Sequence, residues 1–206
     1  MSEPATTPRP VPAGNRQGST RRDEILAAAA ELFAQRGFRG VSIEDLGRAV
    51  GTSGPALYRH FRGKEAVLAQ MLLDISERLL AEGGRRAAAA ADPRAALDAL
   101  LCWHIDFALD NPALITVHER ELDNVPEPQR RRVRRLQRGY VEEWVTVLAE
   151  LYPGVPDAEV RTATHAMFGL LNSTPHSAGE LDRTAMVKLL HAMAVAALHG
   201  PLDRSG

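Results

Sequence analysis

Residues 41–61, "VSIEDLGRAVGTSGPALYRHF", hold two short apolar stripes on either side of a glycine. Ile43, Leu46 and Val50 recur at helical spacing, Gly51 stops the pattern, and Ala56, Leu57 and Phe61 resume it. Ser42, with Asp45 three residues later, resembles a capping box in which Asp replaces the usual Glu or Gln. Ser53 caps the second helix, and Gly54-Pro55 fall in its first turn, where proline loses little. An earlier helix carries Ile25, Leu26, Ala29, Leu32 and Phe33 and stops at Gly37. Two short helices joined by a tight turn have the spacing of a helix-turn-helix. With Ala56, Leu57 and Phe61 packed inward, Ser53, Gly54, Tyr58, Arg59 and His60 remain outside, and the third helix presents its N-terminus to a major groove.

The same period continues to the end of the chain. A fourth helix runs through Leu68, Leu72, Ile75 and Leu79 until Gly83-Gly84. Pro93 opens a helix to Asp110, Asn111-Pro112 starts another, and a long one follows Pro128 with Val133, Leu136, Tyr140, Trp144 and Leu148 on one side. Two apolar helices, 157–173 and 182–198, complete the series. Alanine is abundant, aromatics are only 5%, and no strand pattern or fixed repeat is found. The expectation is an all-α fold of about nine helices. Residues 1–18, rich in Pro, Gly and small polar residues, read as a disordered arm. Residues 19–65 then form a helix-turn-helix head, and 66–206 a second, larger helical domain.

The net charge of −1 conceals a split. Up to Lys64 there are ten Arg and Lys against six Asp and Glu, and beyond it fifteen against twenty. Only the front therefore suits a polyanion. Arg9 and Arg16 put charge on the arm, which some helix-turn-helix proteins use in a DNA groove. The single Cys102 allows no intrachain disulfide, which predicts a cytoplasmic setting; beside Trp103 in an apolar run it reads as inert core. There is no apolar leader, and no uninterrupted apolar run approaches the roughly 18–20 residues of a membrane span.

Residues 20–68 resemble the N-terminal domain of the TetR family of transcriptional regulators. The marks are "AAAELFAQRGF", "VSIEDLGRAVGTS", "ALYRHF" and "GKEAVL". The resemblance implies contact with a DNA operator through Ser42, Ile43, Ser53, Gly54, Pro55, Tyr58, Arg59, His60 and Lys64. Tyr58 and His60 match positions that meet backbone phosphate or thymine methyl, and Ser42 and Lys64 match positions that meet phosphate. Arg21 and Arg22 offer further phosphate contacts or a solvated face. At Gly54 relatives often carry a longer polar side chain. Glycine has no donor to offer, so readout shifts to Arg59, to Ile43 and Glu44, or to the arm.

The resemblance also implies a homodimer through the last two helices, with Ala166, Met167, Leu170, Leu171, Leu189, Leu190, Met193 and Ala197 available for its faces. It implies a small-molecule effector in a cavity among the middle helices. Trp103, Phe107, Ile115, Tyr140, Trp144 and Phe168 supply an apolar lining, and His104, His118, Glu119, His165 and Asn172 sparse polar contacts, which suits a hydrophobic or acyl-type effector. The run "QRRRVRRLQR" reads as solvated faces paired with Glu119, Glu121 and Asp123, or as a grip on a phosphate-bearing effector such as an acyl-coenzyme A. No cofactor is called for. A metal sensor built on His104, His118 and Glu119, a redox-responsive regulator and a helical enzyme are the rival readings. Against the enzyme, the chain has no nucleophile elbow, Gly-rich phosphate loop or Cys/His zinc spacing.

Overall fold

A computed structural model describes residues 20–177, 179 and 181–202. The arm 1–18 lies outside the described residues. Among the described residues there are nine α-helices and no strand: α1 (Arg21–Arg36), α2 (Ile43–Ala49), α3 (Gly54–Leu57), α4 (Lys64–Ala88), α5 (Pro93–Asp110), α6 (Pro112–Arg120), α7 (Gln129–Leu151), α8 (Asp157–Leu171) and α9 (Arg183–Leu202). Short 3-10 turns at Leu122–Asn124 and Thr174–His176 complete the fold.

Side-chain caps set the starts of α1, α2, α3 and α5. Thr20 and Asp23 form a capping box at α1, and Ser42 and Asp45 form one at α2. Ser53 and Asp92 each accept an N–H of the helix they precede. Gly37, at φ 70°, closes α1. Two glycines make the turn between α2 and α3 possible. Gly51 sits at φ 65°, in the left-handed region. A Cβ on Gly47 would lie 3.0 Å from the Thr52 carbonyl oxygen and 3.2 Å from the Gly54 nitrogen, so glycine lets the two helices close on each other.

Gly83-Gly84 does not end α4, which runs on to Ala88. A Cβ on Gly83 would lie 2.5 Å from Cε2 of Tyr140. The glycine is a notch that lets α7 lie against α4, and the intact helical hydrogen bonding around it is worth more than its poor propensity costs.

Two apolar cores form. One joins Ile25, Phe33, Leu46 and Leu57 to Leu68 and Leu72 of α4, then to Phe107, Ile115, Val117 and Val133. The other joins Leu100, Leu101, Trp144, Leu148, Met167, Leu190 and Leu198. The first core runs across residue 65, so the head shares its interior with α4, α6 and the start of α7. Of the residues expected on dimer faces, Met167, Leu171 and Leu190 are buried inside their own chain. They occupy the turns of α8 and α9 that face inward. Ala166, Leu189, Met193 and Ala197 stay exposed.

Candidate nucleic-acid interface and ligand cavity

The end of α3 and the turn after it present Tyr58, Arg59 and His60 to solvent, with Tyr58 54% exposed. Ser53 and Pro55 are also exposed, and Gly54 is half-buried. Leu57 and Phe61 anchor this segment in the core. Arg22 braces it from α1, donating to the His60 carbonyl and to Oε1 of Gln70 and lying 4.5 Å from the Phe61 ring centre. Arg21 donates to the Val50 carbonyl. Both arginines thus hold the head together.

Two of the expected contact residues are also engaged within the chain. Ile43 is 8% exposed and belongs to the core, because the first turn of α2 faces α1. Lys64 donates to the carbonyls of Phe38 and Val41 at 2.9 and 2.8 Å and sits over the Phe38 ring. Two of its three hydrogens are committed to the loop between α1 and α2, leaving one for a phosphate. Ser42 is exposed, but its hydroxyl donates to Oδ2 of Asp45 at 2.7 Å and accepts the Asp45 N–H.

A cavity of about 250 Å³ lies among α4, α5, α6, α7 and α8. Its wall holds Ile75, Ser76 and Leu79 of α4, His104 and Phe107 of α5, and Leu114, Ile115 and His118 of α6. Gln137, Tyr140 and Val141 of α7, His165 and Phe168 of α8, and Asn172 complete it. Eight of the eleven residues expected from sequence are on this wall. Trp103, Glu119 and Trp144 are not. Trp103 turns to the far side of α5, under the guanidinium groups of Arg78 and Arg86. Glu119 points to solvent. Trp144 is fully buried behind the wall, packed against His104, Tyr140 and Phe168. The residues missed were mainly Ile75, Ser76, Leu114, Gln137 and Val141, which sit on helix faces that pattern alone assigns to ordinary core.

The wall carries polar groups but no Asp, Glu, Lys or Arg. His104 is 3% exposed, with Nδ1 3.3 Å from the Tyr140 hydroxyl and Nε2 3.0 Å from Oδ1 of Asn172. The amide oxygen only accepts, so the network assigns the proton to Nε2 and lets Nδ1 accept from Tyr140. Burial lowers the His104 pKa from 6.5 to about 4, partly opposed by the Asn172 hydrogen bond, so the ring is neutral at pH 7. Burial also lowers the pKa of His118 and raises that of the Tyr140 hydroxyl. At one side the cavity adjoins a surface groove of about 380 Å³ lined by Arg134, Arg138, Arg161 and Glu142, with Gln137, Val141 and His165 shared between the two.

The arginine run is only partly paired. Arg130 and Arg134 reach Asp123, Arg130 and Arg131 reach Glu127, and Arg132 reaches Glu77. Glu119 and Glu121 take no part in these pairs. Glu121 accepts the Phe38 N–H at 3.1 Å and an Asn124 N–H at 2.7 Å instead. Cys102 is exposed, not core, because it lies on the α5 face that carries Asp98. Its thiol pKa is raised by partial burial and by Asp98 and Asp106, so it is no activated thiolate.

Comparison with known proteins agrees with this architecture. The profile described as "Bacterial regulatory proteins, tetR family" matches residues 25–71. The profile described as "Tetracyclin repressor-like, C-terminal domain" matches residues 90–198, more than half of the chain. The chain belongs to the TetR family. Like its homologues in that family, it is a DNA-binding transcriptional regulator. The HTH-type transcriptional repressor KstR2 of Rhodococcus jostii RHA1 is 30% identical over 153 residues, covering 74% of this chain and 72% of that protein. Two solved structures show the same fold. The ketosteroid transcriptional regulator KstR2 of Mycobacterium tuberculosis aligns at TM-score 0.77 and 20% identity, over 89% of this chain and 96% of the other. AibR, solved with isovaleryl coenzyme A and operator DNA, aligns at TM-score 0.68 and 19% identity, over 84% and 97%.

Proposed function

We propose that this TetR-family protein is a homodimeric repressor, released from a near-palindromic operator by an acyl-type effector. The observation that carries the effector reading is a cavity wall without Asp, Glu, Lys or Arg that opens beside an arginine-bearing groove. Apolar side chains suit an acyl group, and the neutral His104, Tyr140 and Asn172 offer hydrogen-bonding groups to a carbonyl or hydroxyl on it. At about 250 Å³ the cavity is smaller than the roughly 300–1,000 Å³ usual for ligand sites. It suits the acyl portion alone, with the rest of the effector reaching into the groove. Arg134 and Arg138 there suit phosphate oxygens, which favours a coenzyme A thioester over a free acid. The complex described for AibR is consistent with that class.

On the DNA side, each protomer places α3 in a major groove, with Tyr58, Arg59 and His60 meeting the duplex. Half-sites lie about one helical turn, or a multiple of it, apart. Gly54 leaves base reading at its position to neighbours. Exposed Glu44, whose Cγ would lie 3.7 Å from a Cβ at Gly54, is the nearest side chain able to accept a hydrogen bond from cytosine. The N-terminal arm, with Arg9 and Arg16, is a further candidate for groove contact. The dimer forms through α8 and α9. Exposed Ala158, Thr162, Ala166 and Gly169 make a small-residue stripe on α8, and Leu189, Ala192, Met193, Ala196 and Ala197 an apolar face on α9. By length and composition α9 could cross a membrane, yet of its most apolar 18-residue window, of mean hydropathy 1.3, only 28% is buried within the chain. A second copy of the same two helices covers the remainder.

Coupling runs through Phe38. Lys64, at the start of α4, holds its carbonyl, and Glu121, just beyond α6, holds its N–H. Both helices also wall the cavity. An effector that shifts α6 against α4 therefore moves the loop between α1 and α2, and with it the separation of the two reading heads. It does so only to the extent that it binds the two arrangements with different affinity.

Titration calorimetry with an acyl-coenzyme A, the matching free acid and coenzyme A alone tests the effector reading. The thioester is expected to bind at least about tenfold more tightly than the acid, a difference of about 1.4 kcal/mol. It is also expected to release operator DNA. Equal affinity for acid and thioester would remove the phosphate grip, and no binding by either would remove the acyl reading.

A further inference from the structure

The seam between α5 and α9 carries polar rungs. At one end Arg183 of α9 reaches Asp106 and Asp110 of α5, both at 3.0 Å. At the other, Arg94 lies 3.3 Å from Nε2 of His199. Between them stand Asp98 and Cys102, one turn apart on α5, and His191 on α9. Nε2 of His191 lies 2.7 Å from Oδ1 of Asp98. One carboxylate oxygen, Sγ and a ring nitrogen all lie within 4.8 Å of one another.

We propose that Asp98, Cys102 and His191 form a binding site for a borderline-soft divalent cation of the zinc class. A hydrogen bond alone accounts for Asp98 and His191 but gives the sulfur no role. Tetrahedral zinc, with Zn–S about 2.3 Å and Zn–N or Zn–O about 2.0 Å, sets its ligand atoms roughly 3.3–3.7 Å apart. The three atoms reach that spacing by rotation of side chains about α-helical backbone that the flanking rungs hold in register. Asp98 and Cys102 are exposed and His191 is partly so, which gives an ion a path in and leaves water the fourth position. Binding releases the thiol proton, and the thiolate and carboxylate together balance the two positive charges of the ion. A ligand set of sulfur, nitrogen and oxygen favours zinc, cobalt, nickel or copper over magnesium or calcium. Arg86, which faces Cys102 from α4, is the cation the site must tolerate. The site is separate from the effector cavity, although α5 also carries His104 and Phe107 into that cavity's wall.

The test uses reduced, untagged full-length protein titrated with Co2+. One equivalent per chain is expected to give a thiolate-to-cobalt charge-transfer band, displaced by Zn2+ and unaffected by excess Mg2+. Cys102→Ser is expected to abolish the band, and His191→Gln to weaken Co2+ binding at least about tenfold. Both substitutions lie outside the buried core, and circular dichroism verifies that each variant is folded. Absence of the band in the wild-type protein would overturn the proposal. So would equal Co2+ affinity in wild type, Cys102→Ser and His191→Gln.

Discussion

Gly83→Ala is expected to destabilise the protein by about 2 kcal/mol, whereas Gly84→Ala is expected to stabilise it by up to about 1 kcal/mol. The two glycines are neighbours in α4, and helix propensity favours alanine at both. Their surroundings decide the sign. A Cβ at position 83 would lie 2.5 Å from Cε2 and 3.2 Å from Cδ2 of Tyr140, a ring wedged among His104, Trp144 and Phe168. That ring can retreat only by disturbing the cavity wall. At position 84 the nearest atoms are the carboxylate end of Glu143, at 3.6 Å and beyond, which swings aside at little cost. Urea unfolding of the two variants checks this. A loss of stability at both positions, or at neither, contradicts the packing account. Gly83→Ala should also weaken effector binding, because the displaced Tyr140 belongs to the site.

Acid should destabilise the folded state through His104. Its pKa is about 4 when folded and close to 6.5 when the chain unfolds. Between those values the unfolded chain binds more protons, so stability falls as the pH falls. The contribution is complete above pH 6.5 and lost on the way down to about pH 4, at about 1.4 kcal/mol per pH unit and about 3 kcal/mol in all. His118, also lowered by burial, adds in the same direction. Asn172 and Tyr140 fix the ring without supplying a charge. In urea titrations at pH 7 and pH 5, His104→Gln should show a shallower dependence than wild type by about one proton. Parallel slopes would mean that His104 does not remain neutral in the fold.

Local chemistry made the head legible in the sequence. Ser42 with Asp45, Ser53 before Gly54-Pro55, and Gly37 and Gly51 as stops all act within a few residues, so a linear pattern records them. Gly83-Gly84 was misread because the reason for the glycine, Tyr140, lies 57 residues away on another helix. Ile43 and Lys64 match positions of the family pattern, yet burial and two loop carbonyls claim them, and neither shows in the one-dimensional string. In the cavity, the aromatic and histidine residues stood out by type. Ile75, Leu114 and Val141 did not, because an aliphatic side chain facing a cavity has the same helical spacing as one facing a neighbour. Asp98, Cys102 and His191 have no motif spacing, and only the antiparallel approach of α5 and α9 brings them together.

In the proposed function the turn after α3 reads DNA while the last two helices hold the dimer. Footprinting of the DNA flanking this gene, with wild type and Tyr58→Ala compared at equal dimer concentration by sedimentation, tests it most directly. Wild type is expected to protect a near-palindrome with half-sites about one helical turn, or a multiple, apart. Protection should weaken steeply as salt rises, as the release of counterions from several phosphates requires. Tyr58→Ala should remain a dimer and need at least about tenfold more protein for the same protection. Full protection by a dimeric Tyr58→Ala, or a salt-independent footprint, would contradict the account.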